Sequence, residues 1–108
     1  MAQDFERHLN SATGTSPVTV FTSNSDDTVV GIRCANIAAS AITVDVYITN
    51  SSTDYYLIKG APVSSGGSLE LIDGGSKIIM QTGDALKVLS NTASSLDTVV
   101  SRIDAISV

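Results

Sequence analysis

The sequence predicts an all-β protein, an antiparallel β-sandwich of about eight strands. Residues 42–49 alternate apolar and polar side chains with a period of two, as a half-buried strand does. Other short segments rich in β-branched and aromatic residues recur about every 8–12 residues. Turn-forming residues separate these segments, and no helical pattern of about 10–15 residues lies between them, which disfavours a parallel sheet.

The first 16 residues differ from the rest of the chain. Phe5 and Leu9 have the i,i+4 spacing of a single helical turn, and residues 10–17 have the composition of a loop. We interpret residues 1–16 as an N-terminal arm. Two readings stay open at this point: a frayed terminus, or an arm that docks on a neighbouring subunit through Phe5 and Leu9.

The sandwich domain is predicted to occupy residues 17–108. Its clearest strand is 42–49, in which four apolar side chains share one face. The other predicted strands are 17–22, 28–37, 55–60, 68–72, 77–81, 85–90 and 96–106. The breaks between them contain glycine, or asparagine, aspartate and serine that bond locally to the backbone, so we interpret several as hairpin turns. Jelly-roll and immunoglobulin-like strand orders both fit this pattern.

Several predicted strands have apolar residues on both faces, although a two-layer sandwich needs only one apolar face per sheet. We therefore expect part of the second set to lie in a subunit interface, the alternative being that these residues fill sandwich edges or lie under loops. The predicted interface residues, including the two from the arm, are Phe5, Leu9, Tyr56, Ile58, Ile79 and Leu89.

The composition also favours a subunit interface. Charged residues make up 16% of the chain, against roughly 25% in ordinary soluble domains, whereas 16 serines and 11 threonines supply a quarter of it. Such a surface suits a protein packed against copies of itself or against a partner. The net charge is −5 and the six cationic residues are scattered, so we expect neither nucleic acid nor a membrane surface as a partner. No secretory signal is visible, and we expect synthesis and assembly in a cytoplasm.

The sequence provides no basis for catalysis, a cofactor or a metal. It has one histidine, His8, and one cysteine, Cys34, which cannot form a structural zinc site within one chain. Cys34 lies in a predicted strand and is expected to be a buried free thiol. Calcium would need converging oxygens, but turn aspartates usually cap backbone groups. The turn aspartates are Asp26, Asp27, Asp54, Asp73 and Asp84.

The three tyrosines allow a competing interpretation. Exposed tyrosines on a sheet can stack on sugars or bases. Tyr55 and Tyr56 are adjacent and point to opposite faces, so at most one of them can join a platform with Tyr47. We favour packing in the core or in an interface for all three.

Three segments, followed by a closing strand, carry a resemblance to a known class of protein. They are a tyrosine-rich strand with an Ala-Pro bend at 55–63, a Gly-Gly turn and apolar strand at 66–71, and a Gln-Thr-Gly-Asp turn between strands at 77–88. In this order they resemble small virion structural proteins of tailed bacteriophages, including marine and cyanobacterial phages. The run 96–103 and the Met-Ala-x-Asp-Phe start are similar to theirs as well.

The resemblance implies a β-sandwich present in many copies on a virion, with no catalytic residues to carry over. The role we expect from it is a head decoration, or cement, protein that binds the major capsid protein and stabilises the mature lattice. A neck or tail component, or a tail-associated module that binds a carbohydrate or receptor, is the alternative. We expect a homo-oligomer, with a trimer favoured.

Overall fold

A computed structural model of the protein describes residues 4–72 and 77–104. These residues form strands and connecting turns, and none of them builds a helix with the length and apolarity that a membrane span requires. The strands are β1 (Asp4–Thr13), β2 (Val18–Thr22), β3 (Asp27–Asn36), β4 (Ile42–Asn50), β5 (Thr53–Val63), β6 (Ser68–Glu70), β7 (Ile78–Met80), β8 (Ala85–Ser90) and β9 (Leu96–Asp104).

The strands form two antiparallel sheets. Sheet A has the order β1-β9-β3-β6, and β7 pairs with the same strand β3 as β6 does. Sheet B has the order β2-β8-β4-β5. Most connections lead from one sheet to the other. Together with the order of the strands in each sheet, this is the arrangement of a jelly roll. The predicted antiparallel sandwich is therefore confirmed, and the immunoglobulin-like order is not the one adopted.

The N-terminal segment departs from the sequence-based expectation. Residues 4–13 form strand β1, which pairs along its length with β9, so the predicted helical turn is wrong and the segment is an edge of the sandwich rather than an arm leading away from it. The reason is the inner face of β1, which has Glu6 and His8 where a half-buried strand normally has apolar residues. Polar side chains on the inner face and apolar ones on the outer face hide the usual signal of a strand.

The glycine turns are a second correction. The turn before β6 closes tightly, with the N–H of Gly67 donating to the carbonyl of Ser64 at 2.8 Å, but it joins β5 of sheet B to β6 of sheet A. The Thr82-Gly83-Asp84 turn likewise joins β7 of sheet A to β8 of sheet B. These turns are arches between sheets and not hairpins. The β4–β5 connection, in contrast, is a hairpin within sheet B.

The core lies between the two sheets, where their inner faces meet. Sheet A contributes Val29, Ile32 and Cys34, all fully buried, and sheet B contributes Val44 and Val88 among others. Each such aliphatic side chain contributes about 1.5–3 kcal/mol to folding by leaving water. The expected burial of Cys34 is confirmed.

Ile58 is a third correction, because it packs partly against this core and is not an interface residue on the outer face. Simple alternation from Tyr56 places Ile58 on the same outer face. However, Tyr56 pairs with Tyr47 while Ile58 pairs with the neighbouring Val46, so β5 contains an extra residue there. This β-bulge turns Ile58 inward with the buried Val46.

One end of the sandwich holds a buried ionic network centred on Arg102 of β9. Its guanidinium donates to Asp27 of β3 at 2.6 Å, to Glu6 of β1 at 2.7 Å and to Asp104 of β9 at 3.2 Å. The group also lies over the ring of Phe21 of β2, at 4.6 Å from the ring centre. The network therefore connects strands of both sheets through one side chain.

Breaking this network is expected to destabilise the fold strongly. Arg102→Met would remove the guanidinium that donates to the fully buried carboxylate of Asp27, and removing one partner of a buried pair typically costs about 3–5 kcal/mol. Arg33→Met is the matched control, because the pair between Arg33 and Glu70 is exposed and 3.6 Å long, and surface pairs contribute about 0–1 kcal/mol. Urea denaturation of the three proteins measures both effects, and similar losses in the two variants would contradict the assigned role of Arg102.

Candidate functional site

The outer face of sheet A carries most of the large apolar side chains that the described residues expose to solvent. We call this surface the A face. Its apolar members are Phe5 and Leu9 on β1, Val99 and the half-buried Ile103 on β9, Val30 on β3 and Ile79 on β7. Phe5 is the most exposed, with 86% of its surface open to solvent. Large contiguous apolar patches are rare on the surfaces of monomeric proteins, and they usually mark an interaction site.

The strand registers place these side chains in rows across the sheet. Phe5 pairs with Ile103, Ile103 with Thr28, and Thr28 with Ile79, so one row crosses four strands. A second apolar row contains Leu9 and Val99, which pair directly. Cross-strand neighbours on one face lie about 4.5–5.5 Å apart, so each row forms a continuous strip.

A shallow depression lies beside the first row. Arg7 pairs with Ser101, and Ser101 pairs with Gly31, so small residues form the sheet surface between the two rows. A methyl group built on Gly31 would lie 3.8 Å from a carboxylate oxygen of Glu70, an ordinary van der Waals contact, and so would enter this space without a clash. The depression has a volume of about 470 Å³, with Phe5, Val30 and Ile103 in its wall. An apolar side chain from another molecule could enter it.

Charged side chains lie among the apolar ones on the A face as well as at its edges, since Arg7 lies between the two rows and Arg33 pairs with Val99 of the second row. Arg33 and Glu70 pair with each other across β3 and β6 at 3.6 Å. Asp97 accepts from the N–H of Ala12 at 2.9 Å and from the hydroxyl of Ser11 at 3.1 Å. The A face therefore combines exposed apolar side chains with charged ones, and arginine is among the residues enriched in protein–protein interfaces.

His8 lies under the A face, on the inner side of β1. Its ring stacks on Phe21 with the ring centres 4.6 Å apart, and its Nε2 accepts a hydrogen bond from Nε of Arg102 at 2.9 Å. That bond requires a neutral imidazole. Burial, and then the charge of Arg102, lower the pKa of His8 below its ordinary 6.5, although the carboxylates of Glu6, Asp104 and Asp27 oppose the change.

The tyrosines on the outer face of sheet B do not form the binding platform that was the competing interpretation of the sequence. Tyr47 and Tyr56 are cross-strand neighbours with ring centres 4.9 Å apart, and the ammonium of Lys59 lies 4.7 Å from the centre of the Tyr56 ring. Tyr47 is buried, and burial raises its pKa. It therefore cannot stack on a ligand, which agrees with the packing role expected from its sequence.

The predicted interface residues separate into three groups. Phe5, Leu9 and Ile79 come together on the A face, whereas Tyr56 and the half-buried Leu89 lie on sheet B and Ile58 faces the core. Val30 and Val99 belong to the A face but were not predicted from the sequence. Their signal was available, because each is adjacent in sequence to a fully buried valine and neighbouring residues of a strand face opposite ways.

The titratable groups offer no catalytic arrangement among the described residues. Burial, together with the charge of Glu70, raises the pKa of Cys34 to about 11, so its thiol is protonated at neutral pH. Asp84 accepts from the N–H of Gln81 at 3.0 Å, the local capping expected of turn aspartates, whereas Asp54 accepts from the side-chain hydroxyl of its cross-strand partner Thr49 at 2.8 Å. Asp73 lies outside the described residues.

Three carboxylates, those of Asp4, Glu6 and Asp104, approach one another closely enough to share a cation. Glu6 and Asp104 already accept hydrogen bonds from Arg102, and Asp104 also accepts from Ser25 at 3.0 Å. The guanidinium thus supplies the positive charge that this cluster needs, and we assign no metal to it.

Comparisons with known proteins support the fold. No protein-family model matches the sequence, and no curated protein does. Among solved structures, the chain is similar to one from Bacillus endospore appendages, which are described as a novel family of disulfide-linked pili. The two chains are 13% identical and superpose with a TM-score of 0.54, over 98% of this chain and 88% of that one. The similarity is one of fold.

His8 should make the stability depend on pH. Because its pKa is lowered in the folded protein, the unfolded chain takes up the proton first, so the stability is full above pH 6.5 and falls as the pH drops below it. We expect a lower free energy of unfolding at pH 5.5 than at pH 7.5 by urea denaturation. His8→Gln keeps an acceptor for Arg102 but does not titrate, and an unchanged pH dependence in this variant would contradict the assignment.

Proposed function

We propose that this protein is a non-enzymatic structural subunit that works in many copies, and that copies associate through the A face. The observation that carries this proposal is the position of the exposed apolar side chains. Most of them lie on one face of one sheet, in rows that cross its strands, instead of being scattered over the surface. Burying such a face against a second copy removes apolar area from water, which favours association.

The composition supports a second copy as the occupant. The chain has few charged residues and a net charge of −5, while the A face carries Arg7 and Asp97 together with the pair of opposite charges formed by Arg33 and Glu70. Two copies can therefore approach on this face without the repulsion that the acidic remainder would cause.

The structural neighbour also supports a self-assembling subunit, since it belongs to pili. Its mode of linkage does not transfer to this chain. Those pili are disulfide-linked, whereas this chain has a single cysteine, which is fully buried and has a raised pKa. Assembly here would have to rest on non-covalent contacts.

For the biological setting, we propose the virion of a tailed bacteriophage, as the sequence resemblance implies. Within it, a capsid decoration protein on the head lattice is our first choice, and a neck or tail component is the alternative. Many symmetric contacts, each of them weak, would add up to firm attachment in either place.

Light scattering coupled to size exclusion tests association through the A face. We expect the wild type to form a closed oligomer, with a trimer favoured, and Phe5→Glu and Ile79→Glu to give folded monomers, because each places a charge in the apolar rows. Ile37→Glu is the matched control: Ile37 is also half exposed but lies beyond the end of β3, outside the A face. A monomeric wild type at all concentrations, or oligomers in both A-face variants, would refute this surface.

Immunogold electron microscopy of the phage particles that carry the gene tests the setting. Label over the heads is expected for a decoration protein, and label at the neck or tail would favour the alternative. Particles without label would contradict a virion role while leaving the association measurement unaffected.

A further inference from the structure

A second depression lies at the end of the sandwich where β4 turns into β5 and β7 connects to β8. Its volume is about 380 Å³, within the range of about 300–1,000 Å³ of small-molecule sites. We call it the turn pocket. Its lining contains one aromatic ring, one aliphatic side chain and four polar side chains, which are Tyr55, Ile48, Asn50, Gln81, Thr82 and Asp84.

Tyr55 forms the aromatic wall of the turn pocket. It pairs with Ile48 near the end of sheet B, beyond the buried core, and 58% of its surface is open to solvent. Its neighbour Tyr56 covers Tyr47 on the outer face and has no place in this pocket. An exposed ring beside polar groups offers an apolar surface on which another flat, partly apolar molecule can stack.

The polar side of the pocket is held in place by Asp84. Its carboxylate accepts from Nδ2 of Asn50 at 2.6 Å and from the backbone N–H of Gln81 at 3.0 Å, which links the β4–β5 hairpin to the arch before β8. Each carboxylate oxygen keeps a second acceptor position. The side chains of Asn50 and Asp84 are thus held in position before any ligand arrives, which lowers the entropy cost of binding.

Further hydrogen-bonding capacity remains unused. Within the part of the chain that the structure describes, no hydrogen bond engages the side-chain amide of Gln81 or the hydroxyls of Thr82 and Tyr55. Together they present both donors and acceptors toward the pocket. A ligand with several hydroxyl groups, each able to donate and accept, matches this set.

The hairpin beside the pocket adopts an unfavourable conformation. Ser51 and Ser52 have φ values of 51° and 66°, the left-handed region that two-residue hairpin turns normally fill with Asn-Gly or Gly-Gly. Residues other than glycine have a conformational cost there, and such costs concentrate at functional sites. The hairpin holds Asn50 and Tyr55 on either side of this turn.

The charge of the pocket selects among polyhydroxylated ligands. None of its six lining residues is cationic, and Asp84 contributes a carboxylate. Phosphorylated or carboxylated sugars would meet repulsion without a compensating cation. We propose that the turn pocket binds a neutral saccharide, with one sugar ring stacked on Tyr55 and its hydroxyls bonded to Asn50, Gln81 and Asp84.

Binding at this pocket would be independent of assembly through the A face. The two surfaces share no residue, so a multi-copy assembly would display many identical pockets. Weak sites gain apparent affinity when repeated in this way.

Titration of the full-length ¹⁵N-labelled protein, followed by two-dimensional NMR, tests the proposal. The probes are D-glucose, D-galactose, D-mannose and N-acetyl-D-glucosamine, with D-glucuronate as the charged comparison. We expect at least one neutral sugar to give saturable shifts at the amides of the pocket residues, with a dissociation constant on the order of 1 mM, and D-glucuronate to bind more weakly.

The paired tyrosines supply the matched variants. Tyr55→Ala removes the wall and should weaken binding about tenfold or more, as loss of one stacked ring does. Tyr56→Ala removes a neighbouring exposed ring outside the pocket and should leave binding unchanged. The proposal is overturned if none of the four neutral sugars shifts the pocket amides, or if Tyr55→Ala binds as the wild type does.

Discussion

The buried guanidinium of Arg102 is the constraint to which the rest of the sandwich is adapted. A buried charge must be paired and fully hydrogen-bonded, and Arg102 finds its partners on β1, β3 and its own strand β9. This requirement explains why β1 turns Glu6 and His8 inward, and why Ser23 and Ser25 donate to the carboxylate of Asp27. Glu6 of β1 is the direct cross-strand partner of Arg102 on β9, so the ion pair forms in this register of the two strands.

The same constraint gives β1 its unusual outer face. With its inner positions occupied by polar groups, the strand presents Phe5 and Leu9 to solvent and so contributes to the A face instead of the core. The proposed assembly surface and the fold therefore both depend on one strand. The turn pocket, in contrast, depends on the β4–β5 hairpin and on Asp84, which are parts of sheet B and of the arch that leads into it.

Sequence patterns predicted the other strands of the sandwich closely, because apolar side chains recur on their inner faces even where Asp27, Thr98 and Arg102 are also buried. They failed at β1, where the inner face is polar, and at Ile58, where a bulge interrupts the alternation. The turn residues located the ends of the strands but did not show which strands pair, since Gly66-Gly67 is compatible with an arch between sheets as well as with a hairpin. The turn pocket was beyond prediction because it joins residues about 30 positions apart, and only the strand order brings the two turns together.

The burial of Cys34 gives the protein a built-in reporter of its own motions. A thiol with no exposed surface and a pKa of about 11 cannot react with a disulfide reagent until sheet A opens around it. Because the chain has no second thiol, the rate at which Cys34 is modified would measure only those opening events. Because Cys34 does not react in the folded protein, a cysteine introduced on the A face or beside the turn pocket would be labelled selectively. The signal of that label would then respond to assembly or to a ligand.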